Sequence, residues 1–247
     1  MKHIATLLLL SAFTTLSYGQ VGMGGSNLET FNGSGQGGAF FSALRKNLNT
    51  GATSLNTVGS PYLNDDFVPC KVYYKDELVG NLYYRHNAYN DEIEIKDSSL
   101  PEETPTSLAT MKQLRVIDQN TGQEISMMTY ENKDELVKNG YFYVIDEGKD
   151  YNLLFKKNVK FTEGTKPVNS MVRPTPNKFS QFVEFYYMKD GAKFAQLIPT
   201  NKGRFVKTFG NANEEDLKDY LKEQNINLKD EDDLIKVFNY LNTNKNS

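Results

Sequence analysis

The chain has 247 residues with 28 Lys and Arg against 31 Asp and Glu, a formal charge of −3 that is scattered rather than clustered. That balance argues against a nucleic-acid partner, which calls for a basic surplus or stripe. A single Cys excludes an intramolecular disulfide, and two His, one of them at position 3, exclude a site built on two imidazoles beyond the first residues.

The first nineteen residues read as an export signal. Lys2 and His3 precede an apolar run from Ile4 to Leu16, and Ser17-Tyr18-Gly19 places small residues at the minus-three and minus-one positions before Gln20. The run is too short to span a bilayer comfortably, so 1–19 is expected to be removed and no transmembrane anchor is expected to follow. No Cys stands near the cleavage point to accept a lipid.

Residues 20–60 carry nine glycines among Ser, Asn and Thr and read as a flexible leader. Gly33-Ser34-Gly35-Gln36-Gly37-Gly38 superficially resembles a nucleotide-binding loop. It lacks a preceding strand and a following Lys-Ser or Lys-Thr. Phe40, Phe41, Leu44 and Leu48 fall at helical spacing, which predicts one short helix over Ala39–Leu48.

Residues 61–209 form the predicted β domain. Strands are expected at Lys71–Tyr74, Leu78–Arg85 and Asp91–Lys96, where Ile93 and Ile95 alternate with Glu92, Glu94 and Lys96. Asp97–Thr110, with Pro101 and Pro105, reads as a long loop. Leu114–Asp118 and Glu124–Tyr130 flank Gln119-Asn120-Thr121-Gly122, a hairpin signal. Lys133–Gly140 is expected to add a helical turn closed by Gly140. Tyr141–Ile145, Tyr151–Phe155 and Val159–Phe161 continue the meander, and Thr162–Lys178, with three prolines, is expected to loop out. Gln181–Met188 and Lys193–Ile198 flank Asp190-Gly191, and Arg204–Thr208 is expected to add a last strand.

Residues 210–247 read as a helical pair. Asn213 and Asp230 are placed to cap helices over Glu214–Gln224 and Glu231–Leu241, each with acidic residues in its first turn, where the helix dipole favours negative charge. The expected fold is α+β, mainly β, an antiparallel meander forming a curved sheet or partial barrel closed by two C-terminal helices.

Functional-looking side chains are densest from Tyr83 to Glu92, where an imidazole, a guanidinium, amides, carboxylates and rings surround one turn. Tyr84, Arg85, His86, Tyr89 and Asp91 are the candidate binding residues, since such mixtures occur in sugar and anion sites. Asn-rich turns between aromatic strands are equally ordinary, because Asn tolerates left-handed backbone. A Cys70–His86 dyad is allowed by sequence alone. The acidic runs at Asn64-Asp65-Asp66 and Asp230–Asp233 lack the alternating ligands and central Gly of a calcium loop, so no metal and no cofactor is expected. No Gly-x-Ser-x-Gly elbow is present.

Gly59-Ser60-Pro61-Tyr62-Leu63-Asn64, Val72-Tyr73-Tyr74, the Arg85–Asp91 turn and Asp232-Asp233-Leu234-Ile235-Lys236 together resemble a family of uncharacterised exported proteins of Bacteroidota-type Gram-negative bacteria. The resemblance implies a periplasmic, cell-envelope or secreted address and transfers no activity. The expected role is non-enzymatic: binding or assembly through a curved sheet face, with a lipid, a glycan or an envelope protein as partner. The alternatives are a carboxylate-dependent hydrolase of envelope glycans or peptides, and a structural scaffold component.

Overall fold

A computed structural model describes residues 57–165, 175–210 and 213–243, together with the backbone of 45–46. The expected signal, most of the expected leader and the glycine run lie outside the described residues. The chain is mainly β. Its strands are β1 (Arg45–Lys46), β2 (Thr57–Val58), β3 (Val68–Tyr74), β4 (Glu77–Asn87), β5 (Glu92–Lys96), β6 (Thr106–Leu108), β7 (Leu114–Asp118), β8 (Glu124–Glu131), β9 (Val137–Glu147), β10 (Tyr151–Thr162), β11 (Asn177–Lys189) and β12 (Gln196–Leu197). Helices α1 (Lys202–Phe209), α2 (Glu214–Glu223) and α3 (Glu231–Thr243) follow.

The strands form one curved sheet in the order β1-β6-β5-β4-β3-β7-β8-β9-β10-β11-β12, with β2 pairing in parallel with β11 off that path. Every other pairing is antiparallel. From β3 onward the meander has one break: after β6 the chain returns to lie beside β3 rather than continuing outward. Four strand spacings of about 4.8 Å come to roughly 19 Å across a flat sheet, close to the full stretch of connector 109–113. A connector that short demands strong curvature. At the far end the sheet curls further, where Ala195 hydrogen-bonds β8 through Thr129 O and Glu131 N, both at 2.9 Å. The two end strands β1 and β12 are not paired with each other.

Curvature gives the sheet an inner face, onto which Cys70, Val72, Leu82, Tyr84, Ile93, Ile95, Leu114, Val116, Ile125, Tyr141, Tyr143 and Phe155 project as one buried cluster. The three helices cover the continuation of this face, packing Phe205, Phe209, Leu217, Leu221, Leu234 and Phe238 on Tyr151, Leu153 and Tyr187. Alternation along the strands sends Tyr130, Phe142, Leu154 and Tyr186 to the opposite side, where Tyr130, Phe142 and Tyr186 meet edge to face at 5.0–5.5 Å.

Several local expectations change. Asn213 precedes the Glu214–Glu223 helix but makes no side-chain capping hydrogen bond. Arg204–Thr208 is helix α1, not a strand: Asn201 accepts from Arg204 N at 3.0 Å, and Phe205, Val206 and Phe209 share a buried face. The helical pair is therefore a trio. Lys133–Gly140 is a turn leading into β9, since Gly140 pairs with Met128 across the ladder instead of ending a helix. The Asp97–Thr110 loop contains β6, whose Ser107 and Thr106 pair with β5. Arg45–Lys46, expected in a helix, pair as strand with Ser107 and Leu108 and satisfy the free edge of β6.

Candidate functional site

The turn that joins β4 to β5 is built into the body of the sheet. Asn87 Oδ1 accepts from Asn90 N at 3.2 Å, and Asp91 takes a left-handed φ of 57°, which its short polar side chain tolerates. Strands β9 and β10 pair only between Tyr143–Glu147 and Asn152–Phe155. Beyond that stretch the turn fills the seam between them. Val159 N donates to Ala88 O at 3.2 Å, Tyr141 N donates to Asp91 Oδ1 at 3.3 Å, and Lys156 forms an ion pair with Asp91 Oδ2. Gly140 makes room for that pair, because a Cβ there would lie 2.5 Å from Asp91 Oδ2 and 2.7 Å from Lys156 Nζ.

His86, 3% exposed, stands beside this seam. Its Nδ1 is 2.8 Å from Tyr143 Oη, and its Nε2 lies 3.6 Å from Asp91 Oδ1, too far for a hydrogen bond but close enough for charge to matter. Burial holds the imidazole below its ordinary pKa despite Asp91, with Lys156 and Lys157 adding to the effect. Burial of Asp91 opposes its ionisation, but His86 and Lys156 outweigh it and hold the carboxyl below its ordinary value. Burial, with Asp91 nearby, keeps the Tyr143 phenol protonated. The arrangement that suits all three is a neutral imidazole accepting from Tyr143 at Nδ1 and turning Nε2–H toward Asp91.

The five candidate residues do not form one site: Tyr84, Arg85 and His86 line one pocket, and Tyr89 and Asp91 lie outside it. Tyr84 and His86 project onto the inner face, and Tyr84 donates to Asp118 Oδ2 at 2.9 Å. Arg85 projects to the opposite face, as strand alternation requires. Its guanidinium lies 3.6 Å from the Tyr62 ring centroid and 4.5 Å from that of Phe67, bonds buried Glu94 at 2.6 Å and donates to Asp65 O at 3.0 Å. Arg85 thus clamps the 61–67 segment to the sheet. Tyr89 sits at the tip of the turn, about half exposed, with its ring against Phe179 and Phe161. Asp91 is committed to the seam.

Next to His86 a pocket of about 340 Å³ opens between the 63–68 segment and the β7–β8 turn. Tyr84, His86 and Tyr143 line it from the inner face, Asp118, Thr121 and Gln123 from the turn, and Lys157 from β10. Asp118 has both oxygens occupied, Oδ1 by the backbone of Asn120 and Thr121 and Oδ2 by Tyr84. Lys157 is different. Its Nζ lies 4.4 Å from the Tyr143 ring centroid and 5.0 Å from that of Phe155, rings stacked on one another, and it makes no hydrogen bond or ion pair among the described residues. Burial lowers its pKa, with Glu231 acting in the opposite sense.

Sequence reading missed Tyr143, Lys156, Lys157, Gly140 and Asp118. The readable signal was Lys156-Lys157 directly after the apolar run Leu153-Leu154-Phe155, where adjacent lysines must face opposite sides. Cys70 is fully buried, its thiol is pushed up to about 12 by that burial, and the His86 imidazole faces Tyr143 and Asp91, so the two form no dyad. No group of three or more His, Cys, Asp or Glu is placed to hold a metal among the described residues, and none of their helices is long and apolar enough to cross a membrane. Fold and pocket together define a curved-sheet protein with a polar cavity open beside its inner face. Comparison with protein-family models, with curated proteins and with solved structures finds no match.

Proposed function

We propose that this chain is a non-enzymatic, exported cell-envelope protein that binds a small polar ligand, or the terminal unit of a glycan, in the pocket beside His86. The export signal motivates the address. The observation that carries the binding reading is the pocket itself, a concave recess of mixed polar and apolar lining beside rigid strands, with aromatic rings along the inner face. Polar side chains outnumber apolar ones in the lining, which disfavours an acyl chain. Sugars suit such a recess, since ring faces take their C–H surfaces and amide and hydroxyl groups take their hydroxyls.

A second reading, a carboxylate-dependent hydrolase, draws on Asp66 and Asp118 lining the same pocket. With both Asp118 oxygens engaged in bracing the turn and binding Tyr84, that carboxylate is poorly placed to act as base or nucleophile. Native mass spectrometry of the mature protein, purified gently from its own envelope, tests the proposal. A stoichiometric bound glycan or polar metabolite supports it. An unliganded protein that turns over an envelope glycan or peptide, and loses that activity on Asp66→Asn, refutes it in favour of the hydrolase.

A further inference from the structure

We infer that the pocket selects an acidic sugar, with Lys157 pairing the ligand's carboxylate while the Tyr84 side chain and the amide of Gln123 address the sugar ring. This deepens the binding reading above and rests on it.

The lining holds three nitrogen bases, and two are committed. Arg85 gives its guanidinium to Glu94 and to Asp65 O, and His86 is buried, neutral and engaged by Tyr143. Lys157 alone presents a cation with no hydrogen-bond or ion-pair partner among the described residues. Glu231, at the start of α3, is the carboxylate that acts on it electrostatically, and it forms no ion pair with it. The Nζ itself lies over the Tyr143 and Phe155 rings, which attract the cation but offer its N–H donors no oxygen acceptor, and that is what an anion would supply.

Size and polarity narrow the anion. About 340 Å³ is near the lower end of ligand-pocket volumes, enough for a single sugar unit and short for a lipid. Gln123 donates its amide to Val144 O at 2.7 Å and to Glu124 O at 3.1 Å, which fixes the group and leaves its carbonyl oxygen free to accept from a hydroxyl. A simple inorganic anion would use the lysine and ignore the Gln123 carbonyl. An acidic sugar uses both.

The test is calorimetric titration of the mature protein with D-glucuronate, D-glucose and laurate, repeated on Lys157→Met, which keeps the apolar stem and removes the charge. The expected result is saturable glucuronate binding, at least about tenfold weaker glucose binding, no laurate binding, and a loss of about tenfold for glucuronate in Lys157→Met, the factor that 1.4 kcal/mol supplies. A circular-dichroism melt checks that the variant folds, and the glucuronate-to-glucose ratio on the unaltered protein tests the charge without it. Equal binding of glucose and glucuronate, or glucuronate binding indifferent to Lys157→Met, overturns the acidic-sugar assignment and leaves the binding reading standing. Laurate binding in place of the sugars overturns it in favour of an amphiphile. Failure of all three probes also overturns it, and the native mass spectrum then decides separately whether the pocket binds anything.

Discussion

Replacing Asp91 with Asn removes a charge from the seam between β9 and β10 and little else. Asn tolerates the left-handed φ of 57° and retains an oxygen to accept from Tyr141 N, so backbone and shape persist. What is left is Lys156 with a side chain 5% exposed and no anion. Breaking a fully buried pair from one side costs about 3–5 kcal/mol, and the 26% exposure of the Asp91 side chain lowers that through solvent screening to about 2–3 kcal/mol. For a domain of this size the loss lowers Tm by roughly 5–10 °C. Urea unfolding at pH 7, followed by far-ultraviolet circular dichroism, measures it. Adding Lys156→Met to Asp91→Asn removes the stranded charge and restores about half of the loss, so the double-mutant cycle shows strong coupling. Acid titration supplies a second reading. Because the folded-state pKa of Asp91 lies below the unfolded value near 3.8, its stabilisation is present above that value and disappears as pH falls through the lower one. Asp91→Asn should therefore lose less stability than the parent below pH 3.8. A loss under about 0.5 kcal/mol at pH 7, or strictly additive single and double variants, would refute the account of the seam.

Gly140→Ala puts a Cβ into the space held by Asp91 Oδ2 and Lys156 Nζ, and should cost about 1–3 kcal/mol in the same urea assay while leaving Gly122→Ala, at an open position with φ of 75°, to act through backbone strain alone. His86→Asn should flatten the pH dependence of stability between pH 7 and about 5. The parent loses stability as pH falls below 6.5 because protonation is disfavoured in the folded state, and the loss is complete below the lower folded pKa. Unfolding curves at matched pH values decide this, and an unchanged slope in the variant counts against it. Cys70 should resist a maleimide at pH 8 in the native state and label at once in denaturant, as a buried thiol raised to about 12 requires; rapid native labelling would mean the inner face opens.

Period-two alternation made most of the ladder legible. Ile93 and Ile95 against Glu92, Glu94 and Lys96, and Asn120-Thr121-Gly122 between two apolar runs, led directly to β5 and the β7–β8 hairpin. Acidic first turns after Asn213 and Asp230 did the same for α2 and α3. Helix α1 was missed because Arg204–Thr208 is short and its apolar residues fit either period until the Asn201 cap is seen to act. The return of the chain from β6 to β3 is a tertiary choice with no local signal. For the site, the dense run from Tyr84 to Asp91 supplies Tyr84, Arg85 and His86 to the lining of one pocket and leaves Tyr89 and Asp91 outside it. Alternation alone separates Arg85 from Tyr84 and His86, but only the fold brings Tyr143, Lys156 and Lys157 to them.

Adjacent lysines on β10 face opposite sides of one strand and meet opposite fates. Lys156 points into the seam, where Asp91 neutralises it, Gly140 makes space and the rings of Tyr130 and Phe142 lie 5.4 Å and 5.5 Å away. Its burial is offset by partners from three elements of the fold, which is the pattern of a structural charge. Lys157 points to the pocket, loses hydration to Tyr143 and Phe155, and receives no paired anion among the described residues. A Leu or Met at 157 would pack on the same rings without that loss, so folding stability gives no reason for an ammonium there. Sequences depart from local consistency chiefly where function asks for it. The same strand thus supplies its own control: the lysine whose charge the fold satisfies is structural, and its neighbour, left without a paired anion among the described residues, is the one the proposed ligand would complete.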